Sequence, residues 1–278
     1  MRAILFLMEN KQKAILLTGV SGGIGLEVAK RFINEGYIVF GLDIKAPKED
    51  IKGLTFIQTD LTKEKEVISA CEKVKEQNIK LKNIICTAGI YDLNSLVEIS
   101  EEEFIRIFDV NVFSTYRVNK IFLPLLEEGG KIIMISSELG PLDPLPFNGV
   151  YSISKSLVEK YAYSLRMELQ LLGYQVVLIR PGAIDTGMID ISLDRLNRFV
   201  DSTEYYKDNS RKFKDIVDSV ESRKIHPNKI ANLIYKVSEK KKPRYVYTIN
   251  RNKSLMLLNC LPQRTQNWII KKILTKKK

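Results

Sequence analysis

Tyr151 and Lys155 stand four residues apart, a spacing that puts a phenol and an ammonium on one face of a helix. Tyrosine is a poor proton-transfer group near neutrality, because its ordinary pKa is about 10. A cation beside it favours the phenolate and can lower such a group by about 1–3 pH units. The pair could then exchange a proton with a substrate oxygen. Spacing alone does not select it, since Tyr116 and Lys120 are set the same way. Only Tyr151 has further chemistry upstream. Ser136 and Ser137 close an apolar run that reads as a strand, and the helix carrying Tyr151 leads to another strand ending at Pro181 and Gly182. Hydroxyl, phenol and ammonium can therefore converge at one edge of a sheet, whereas Tyr116 lies mid-helix without such partners.

A second chemical segment is Thr18-Gly19-Val20-Ser21-Gly22-Gly23-Ile24-Gly25, placed between an apolar run and a helical pattern. Glycines at 19, 23 and 25 let the backbone turn tightly and approach a pyrophosphate, and the free N–H groups of a helix start favour an anion. Glycine-rich turns have many uses, so the context decides. The next apolar run ends in Asp43, near the separation of about 20 residues at which an acid reaches the adenosine ribose hydroxyls. An acid there accepts from the 2′-hydroxyl and repels a 2′-phosphate, so NAD(H) is favoured over NADP(H). Gly22 agrees, since the loop has no basic residue there, but Lys45 could turn inward to pair with a phosphate. Asp60 and Leu61 follow the third apolar run and could meet the adenine; Asp60 equally suits the start of the next helix.

These groups need a scaffold that brings strand ends together. Short apolar runs at 14–18, 37–42, 55–59, 83–87, 131–136, 175–180 and 244–249 alternate with amphipathic stretches at 24–35, 63–76, 101–126, 151–172 and 227–239. Right-handed crossovers between them give an α/β chain: a Rossmann-type, doubly wound parallel sheet of about seven strands with helices on both faces. No repeat or linker divides the series, so one domain spans 13–250. Residues 186–225 break the rhythm after a strand end, where such sheets place ligands. Met188, Phe199, Tyr205, Tyr206 and Phe213 lie there among charges. The segment reads as a substrate-covering lobe or as a solvent-facing helical insertion.

Taken together, Thr18 to Gly25, Ala88-Gly89, Asn111, Ser136-Ser137, Tyr151/Lys155 and Pro181-Gly182 resemble the short-chain dehydrogenase/reductase family over about nine-tenths of the chain. The three-residue gap between Gly19 and Gly23 is similar to its compact single-domain branch. The resemblance implies hydride transfer between a nicotinamide dinucleotide and a carbonyl or alcohol. It implies Tyr151 as general acid/base, Lys155 lowering its pKa and binding ribose, Ser137 on the reacting oxygen and Asn111 holding a relay water. Gly19, Ser21, Gly22, Gly23, Ile24, Gly25, Asp43, Asp60, Leu61, Ala88, Gly89, Asn111, Tyr151 and Lys155 would line the dinucleotide. Pro181, Gly182, Ile184 and Thr186 would cradle the carboxamide end. A homodimer or homotetramer through helices 101–126 and 151–172 is implied as well. Two departures are visible. Cys86-Thr87 replaces the usual pair of amides, removing a brace of the sheet, and the segment from Ser137 to Tyr151 is one residue longer than usual, which leaves Ser136 or Ser137 as the hydroxyl.

The bulk composition supports this frame. Of 278 residues, 45% are hydrophobic and 28% charged, enough to build a core and unlike a disordered or fibrous chain. Cys71, Cys86 and Cys260 are scattered, so neither a disulfide framework nor a thiolate metal site is expected, and a reducing cytoplasmic setting fits. His226 reads as a helix-start residue and no metal is expected. Residues 251–278 hold eight Lys/Arg and no Asp/Glu, so much of the net charge of +11 belongs to a basic amphipathic tail. In 262–278, Trp268, Ile269, Ile270, Ile273 and Leu274 alternate with lysines, which suits peripheral contact with an anionic membrane or packing on the chain's own domain. A tail without an interleaved basic groove gives no reason to expect nucleic acid. Residues 1–12 read as an extension without a secretory cleavage pattern, with Met8 a second candidate start. The lobe and tail together favour a secondary alcohol or ketone that is lipophilic, a steroid or other hydroxylated lipid. A small or sugar-derived ketone is the other substrate class, and a nucleotide-binding scaffold or redox sensor with little turnover is the non-enzymatic alternative.

Overall fold

The computed structural model describes residues 12–221 and 223–275, with side chains except at 188–192, 220 and 221. Most of the amino-terminal extension, including Met8, lies outside the described residues, as do the last three lysines and the Met188 side chain.

The seven strands are β1 (Ala14–Thr18), β2 (Ile38–Asp43), β3 (Leu54–Gln58), β4 (Leu81–Cys86), β5 (Leu126–Ile135), β6 (Gln175–Pro181) and β7 (Val246–Ile249). All pair in parallel, in the order β3-β2-β1-β4-β5-β6-β7. The order reverses between β1 and β4, and a ligand crevice opens there beyond the strands' carboxyl ends. Successive side chains point to opposite faces, so each strand feeds two cores. Leu16, Leu42, Ile84 and Met134 enter one; Ile15, Leu17, Ile85 and Val177 enter the other. Both faces are covered, which is why the central strands are apolar throughout rather than alternating.

Helices α1 (Gly23–Asn34), α2 (Glu64–Lys75), α3 (Glu101–Phe108), α4 (Ser114–Phe122) and α5 (Gly149–Leu169) belong to the first two-thirds of the chain. They are followed by α6 (Gly187–Ser202), α7 (Lys207–Glu221), α8 (Asn228–Glu239), α9 (Lys253–Asn259) and α10 (Gln263–Thr275). Helices α2, α4 and α5 cover one sheet face through Val67, Phe122 and Ala162; α1 and α8 cover the other through Phe32 and Ile234. No helix among the described residues is long and apolar enough to cross a membrane.

One sequence expectation is corrected. The helix expected over 101–126 is broken: one π-helical turn, Asp109–Phe113, separates α3 from α4. A 3₁₀ turn then ends at Leu125, and Leu126 already opens β5. Pro124 lacks the N–H that would continue the helix, which accounts for the stop. The segment 186–225 is mostly helical and forms α6 and α7. Their exposed sides are charged, which hides the helical period of the few residues they bury.

The lobe has its own small core. Leu93, Phe147, Leu196, Phe199, Phe213 and Leu274 are buried together. The Phe147 ring sits 5.1 Å from Phe199, 5.2 Å from Tyr206 and 5.4 Å from Phe213. Asp92, just after β4, is 2.5 Å from the Arg195 guanidinium of α6, an ion pair buried enough to fix the lobe on the sheet. The basic tail also joins this core. Leu274 and Gln266 of α10 are buried, and the Asn209 amide of α7 donates to Leu274 O at 2.9 Å. Trp268 and Ile273 remain exposed on its other side.

Candidate active site

The loop after β1 reaches its shape through glycine. Gly19 has φ +69°, and a Cβ there would lie 2.8 Å from Ala88 Cα; a Cβ on Gly25 would lie 2.0 Å from Gly19 O. Side chains at either point would collide with backbone and close the cradle at the start of α1. Gly22 caps α1 without a side-chain bond, which leaves the first N–H groups of the helix available to an anion. Ile24 lines the cleft. These residues fit the pyrophosphate of a dinucleotide.

Asp43 ends β2 above this loop. Its carboxylate accepts from Ser21 N at 3.0 Å and Ile44 N at 2.8 Å, and the Ser21 hydroxyl donates to Lys45 O at 2.5 Å. The Lys45 side chain is exposed. Asp60 is drawn the other way. Its carboxylate accepts from Thr62 N at 3.0 Å and Thr62 Oγ1 at 2.6 Å, and Lys63 Nζ lies 3.4 Å away. Burial raises its pKa, but these hydrogen bonds more than offset that and hold it below the ordinary carboxylate value. The Asp60 geometry is that of a helix-start turn, and Leu61 is buried in the core beneath it.

Thr87 alters one expectation drawn from the missing amides. Its hydroxyl donates to Thr18 O at 2.6 Å, while Ala88 N donates to Thr18 Oγ1 at 3.3 Å. The brace between β1 and β4 is therefore present, made by two threonines. A Cβ on neighbouring Gly89 would sit 3.2 Å from Asn111 Oδ1 and 3.4 Å from Lys155 Nζ, so this strand end opens onto the reactive groups.

The π turn delivers Asn111 inward. Its amide nitrogen donates to Ile90 O and Ser154 Oγ, both at 3.0 Å, and its oxygen accepts from Ile90 N at 2.8 Å. Lys155 Nζ donates to Ile135 O at 3.1 Å and stands 5.8 Å from the Tyr151 ring centroid. The Tyr91 ring meets Tyr151 edge-on at 4.5 Å. Ser136 and Ser137 separate cleanly. The Ser136 hydroxyl donates to Glu159 Oε1 at 3.0 Å, in a network where Arg180 grips both Glu159 oxygens at 2.8 and 2.6 Å. Ser137 instead lies beside the Tyr151 phenol. Turns at Gly140, Leu142 and Asn148 take up the longer segment between them, with Phe147 in the left-handed region at φ +63°.

Burial dominates the electrostatics. It pushes the Tyr151 phenol up to about 12, opposed by hydrogen bonding with Ser137 and reinforced by the Glu138 carboxylate. It pulls the Lys155 ammonium down to about 8. The four-residue spacing predicts that Lys155 lowers the Tyr151 pKa; burial acts on the phenol in the other direction, and the Lys155 ammonium is turned to Ile135 O. The alternative pair, Tyr116 and Lys120, is exposed on α4 and meets no cleft group.

Pro181, the last residue of β6, and Gly182, Ile184 and Thr186 just beyond it line the same cleft of about 210 Å³. Thr186 lies close enough to the glycine loop for its methyl to be 2.7 Å from a Cβ on Gly23. The cleft also has an apolar wall, made of Leu139, Leu145, Phe213, Ile216, Val217 and Leu255. Of the aromatic residues expected to cover substrate, Phe213 alone reaches this wall. Phe199 and Tyr206 pack around Phe147, and Tyr205 points to solvent. Glu138, Leu145 and Leu255 were not indicated by the sequence; only the adjacency of Glu138 to Ser137 could have pointed to it.

Comparison with known proteins fits this geometry. A family model described as short chain dehydrogenase matches residues 13–195. A 3-ketodihydrosphingosine reductase of Bacteroides thetaiotaomicron is 30% identical over 257 residues, covering 92% of each chain. An NADPH-dependent 3-dehydrocapnine reductase of Ornithobacterium rhinotracheale is 29% identical over 280 residues, 94% of this chain and 97% of the relative. The crystal structure of a short chain dehydrogenase family protein from Francisella tularensis superposes with TM-score 0.71 at 24% identity, covering 86% of this chain and 97% of that one, a likeness of fold. A parallel sheet with a glycine cradle at its switch point and relatives of near-full coverage lead to one conclusion: the chain belongs to the short-chain dehydrogenase/reductase family and is an NAD(P)-dependent oxidoreductase acting on CH–OH groups.

Proposed function

We propose that this chain interconverts a lipophilic ketone and its secondary alcohol, with a long-chain lipid ketone as the substrate class. The carrying observation is that Ser137, Tyr151 and Lys155 line a cleft whose remaining lining is largely aliphatic and aromatic. The names of the two relatives of near-full length point the same way.

A bound nicotinamide supplies or accepts the hydride. Gly19, Ser21, Gly22, Gly23, Ile24 and Gly25 hold the pyrophosphate end, Asp43 the ribose hydroxyls, and Ala88 and Gly89 the wall beside them. Pro181, Gly182, Ile184 and Thr186 hold the carboxamide end. Tyr151 gives its phenolic proton to the carbonyl oxygen during reduction, a task suited to a phenol that burial keeps protonated near neutrality. Ser137 donates to that oxygen, and Lys155 returns a proton toward Tyr151 along a path that Asn111 borders. Asp43 favours NAD(H) by opposing a 2′-phosphate. The direct test follows reduced-nicotinamide absorbance with either dinucleotide and a panel of long-chain, steroid, sugar and short ketones. Turnover confined to the short or sugar ketones would overturn the substrate class.

Subunit association is proposed through α4, the π turn before it and α5, supported by the exposed apolar side chains Phe113, Tyr116, Leu157, Tyr163 and Met167. Sedimentation velocity is expected to show a dimer or tetramer that Tyr163→Glu weakens; a monomeric wild type would end the idea. Peripheral membrane contact is proposed through α10, where exposed Trp268 and Ile273 neighbour Lys271 and Lys272. Anionic liposomes should co-sediment the wild type at least several-fold better than Trp268→Ala/Ile273→Ala, and equal recovery would rule that face out.

A further inference from the structure

We propose that Glu138 forms a subsite for a cationic substituent, an ammonium group, carried by the substrate next to the carbon that bears the reacting oxygen. The inference rests on the ketone/alcohol reading above and narrows its substrate class. Glu138 follows Ser137 directly and lines the same cleft as Tyr151, Gly182 and Leu255, yet only 7% of it is exposed. One carboxylate oxygen, Oε2, accepts from Asn252 N at 2.6 Å, where the chain enters α9. The other, Oε1, accepts no hydrogen bond among the described residues and lies 3.1 Å from the position a Gly182 Cβ would take. No Lys or Arg among the described residues forms an ion pair with it; Arg251 acts only from a distance.

A carboxylate held this way is costly. Removing a charge from water is repaid only when a partner of opposite sign or enough hydrogen bonds replace the water. Here one bond is made, and burial raises the carboxyl pKa. A neutral ligand filling the cleft would strip the remaining water from Oε1 and give nothing back. An ammonium would supply both the charge and a donor, so the same feature attracts one ligand and rejects the other. Glu138 directly follows Ser137 and lines the cleft with Tyr151, so an ammonium paired with it lies beside the reacting oxygen. Its neighbour Ser136 is already committed to Glu159, and the lobe acids Asp92 and Glu98 are spent on Arg195 and on Thr203. Glu138 is thus the one carboxylate lining the cleft among the described residues.

The test uses the intact chain loaded with NAD(H) and two short amphiphiles of matched length, octylamine and 1-octanol, with binding read by calorimetry. The wild type is expected to prefer the amine by about 10-fold or more. Glu138→Gln, which keeps an acceptor for Asn252 N, should lose most of that preference through weaker amine binding while holding dinucleotide affinity. No amine preference in the wild type overturns the subsite without recourse to any variant. Equal loss of both ligands in Glu138→Gln, or a loss that tracks weakened dinucleotide binding, overturns it as well. Because calorimetry reads binding without turnover, the two readings fail separately. Reduction of long-chain ketones without amine preference removes the subsite alone, whereas amine preference without turnover of any ketone removes the activity alone.

Discussion

Tyr151→Phe is expected to keep the fold and dinucleotide binding while losing about 10²–10⁴-fold in turnover, the usual worth of a positioned general acid. The substitution removes one O–H and nothing else. The ring keeps its edge-on contact with Tyr91, and Lys155 keeps its bond to Ile135 O. Stability should therefore change little, and the loss should fall on kcat with the dinucleotide dissociation constant unmoved. Stopped-flow absorbance under single turnover reads the chemical step directly; a rate near that of the wild type would take the proton donor away from Tyr151. The pH profile gives a second arm. Lys155 has a folded pKa of about 8, below its ordinary 10.5, so its charge is present below that value and lost above it. Reduction should fall as pH rises through about 8, and Tyr151, at about 12, should remain protonated across that fall.

Asp43→Asn should move the ratio of kcat/KM for NADP over NAD upward by about 10–100-fold. A carboxylate about 5 Å from a 2′-phosphate costs roughly 1–3 kcal/mol at effective dielectrics between those of water and a protein surface. Asparagine keeps an oxygen that can accept from Ser21 N, so the glycine loop holds its shape and the change reads charge alone. The outcome is sharpened by the relative described as NADPH-dependent. A wild type that already prefers NADP would remove the ribose role from Asp43 and give Lys45 the phosphate.

The parts of this protein that one strand or one turn decides were legible in the sequence. β1 lies at the residues its apolar run marks, and the glycine loop needs only local sterics to be read. Tyr151 could be told from Tyr116 because Ser136-Ser137 stands one strand before it. What could not be read depends on partners distant in the chain. The π turn that swings Asn111 inward has no period of its own. Ser136 is engaged by Glu159 and Arg180 while Ser137 is not, and the missing amides are replaced by the Thr87 hydroxyl, which reaches from the end of β4 to Thr18 O on β1. Glu138 looks like any surface acid until Asn252, more than a hundred residues later, is seen folded against it.

The strand order also bears on how the chain is made. During synthesis β2 pairs with β1, and β3 then pairs with β2, each finding its neighbour already present. The other side of β1 has to wait. Its partner is β4, so the apolar edge Ala14–Thr18 stays unpaired while the residues up to Leu81–Cys86 emerge. From β4 onward each new strand again adds to a waiting edge, through to β7. The ribosome-bound chain thus carries an open apolar strand edge over two long stretches, that of β1 until Leu81–Cys86 emerges and that of β6 until Val246–Ile249 emerges, the kind of edge on which nascent chains aggregate. A pause in translation before β4 or before β7 would lengthen that exposure.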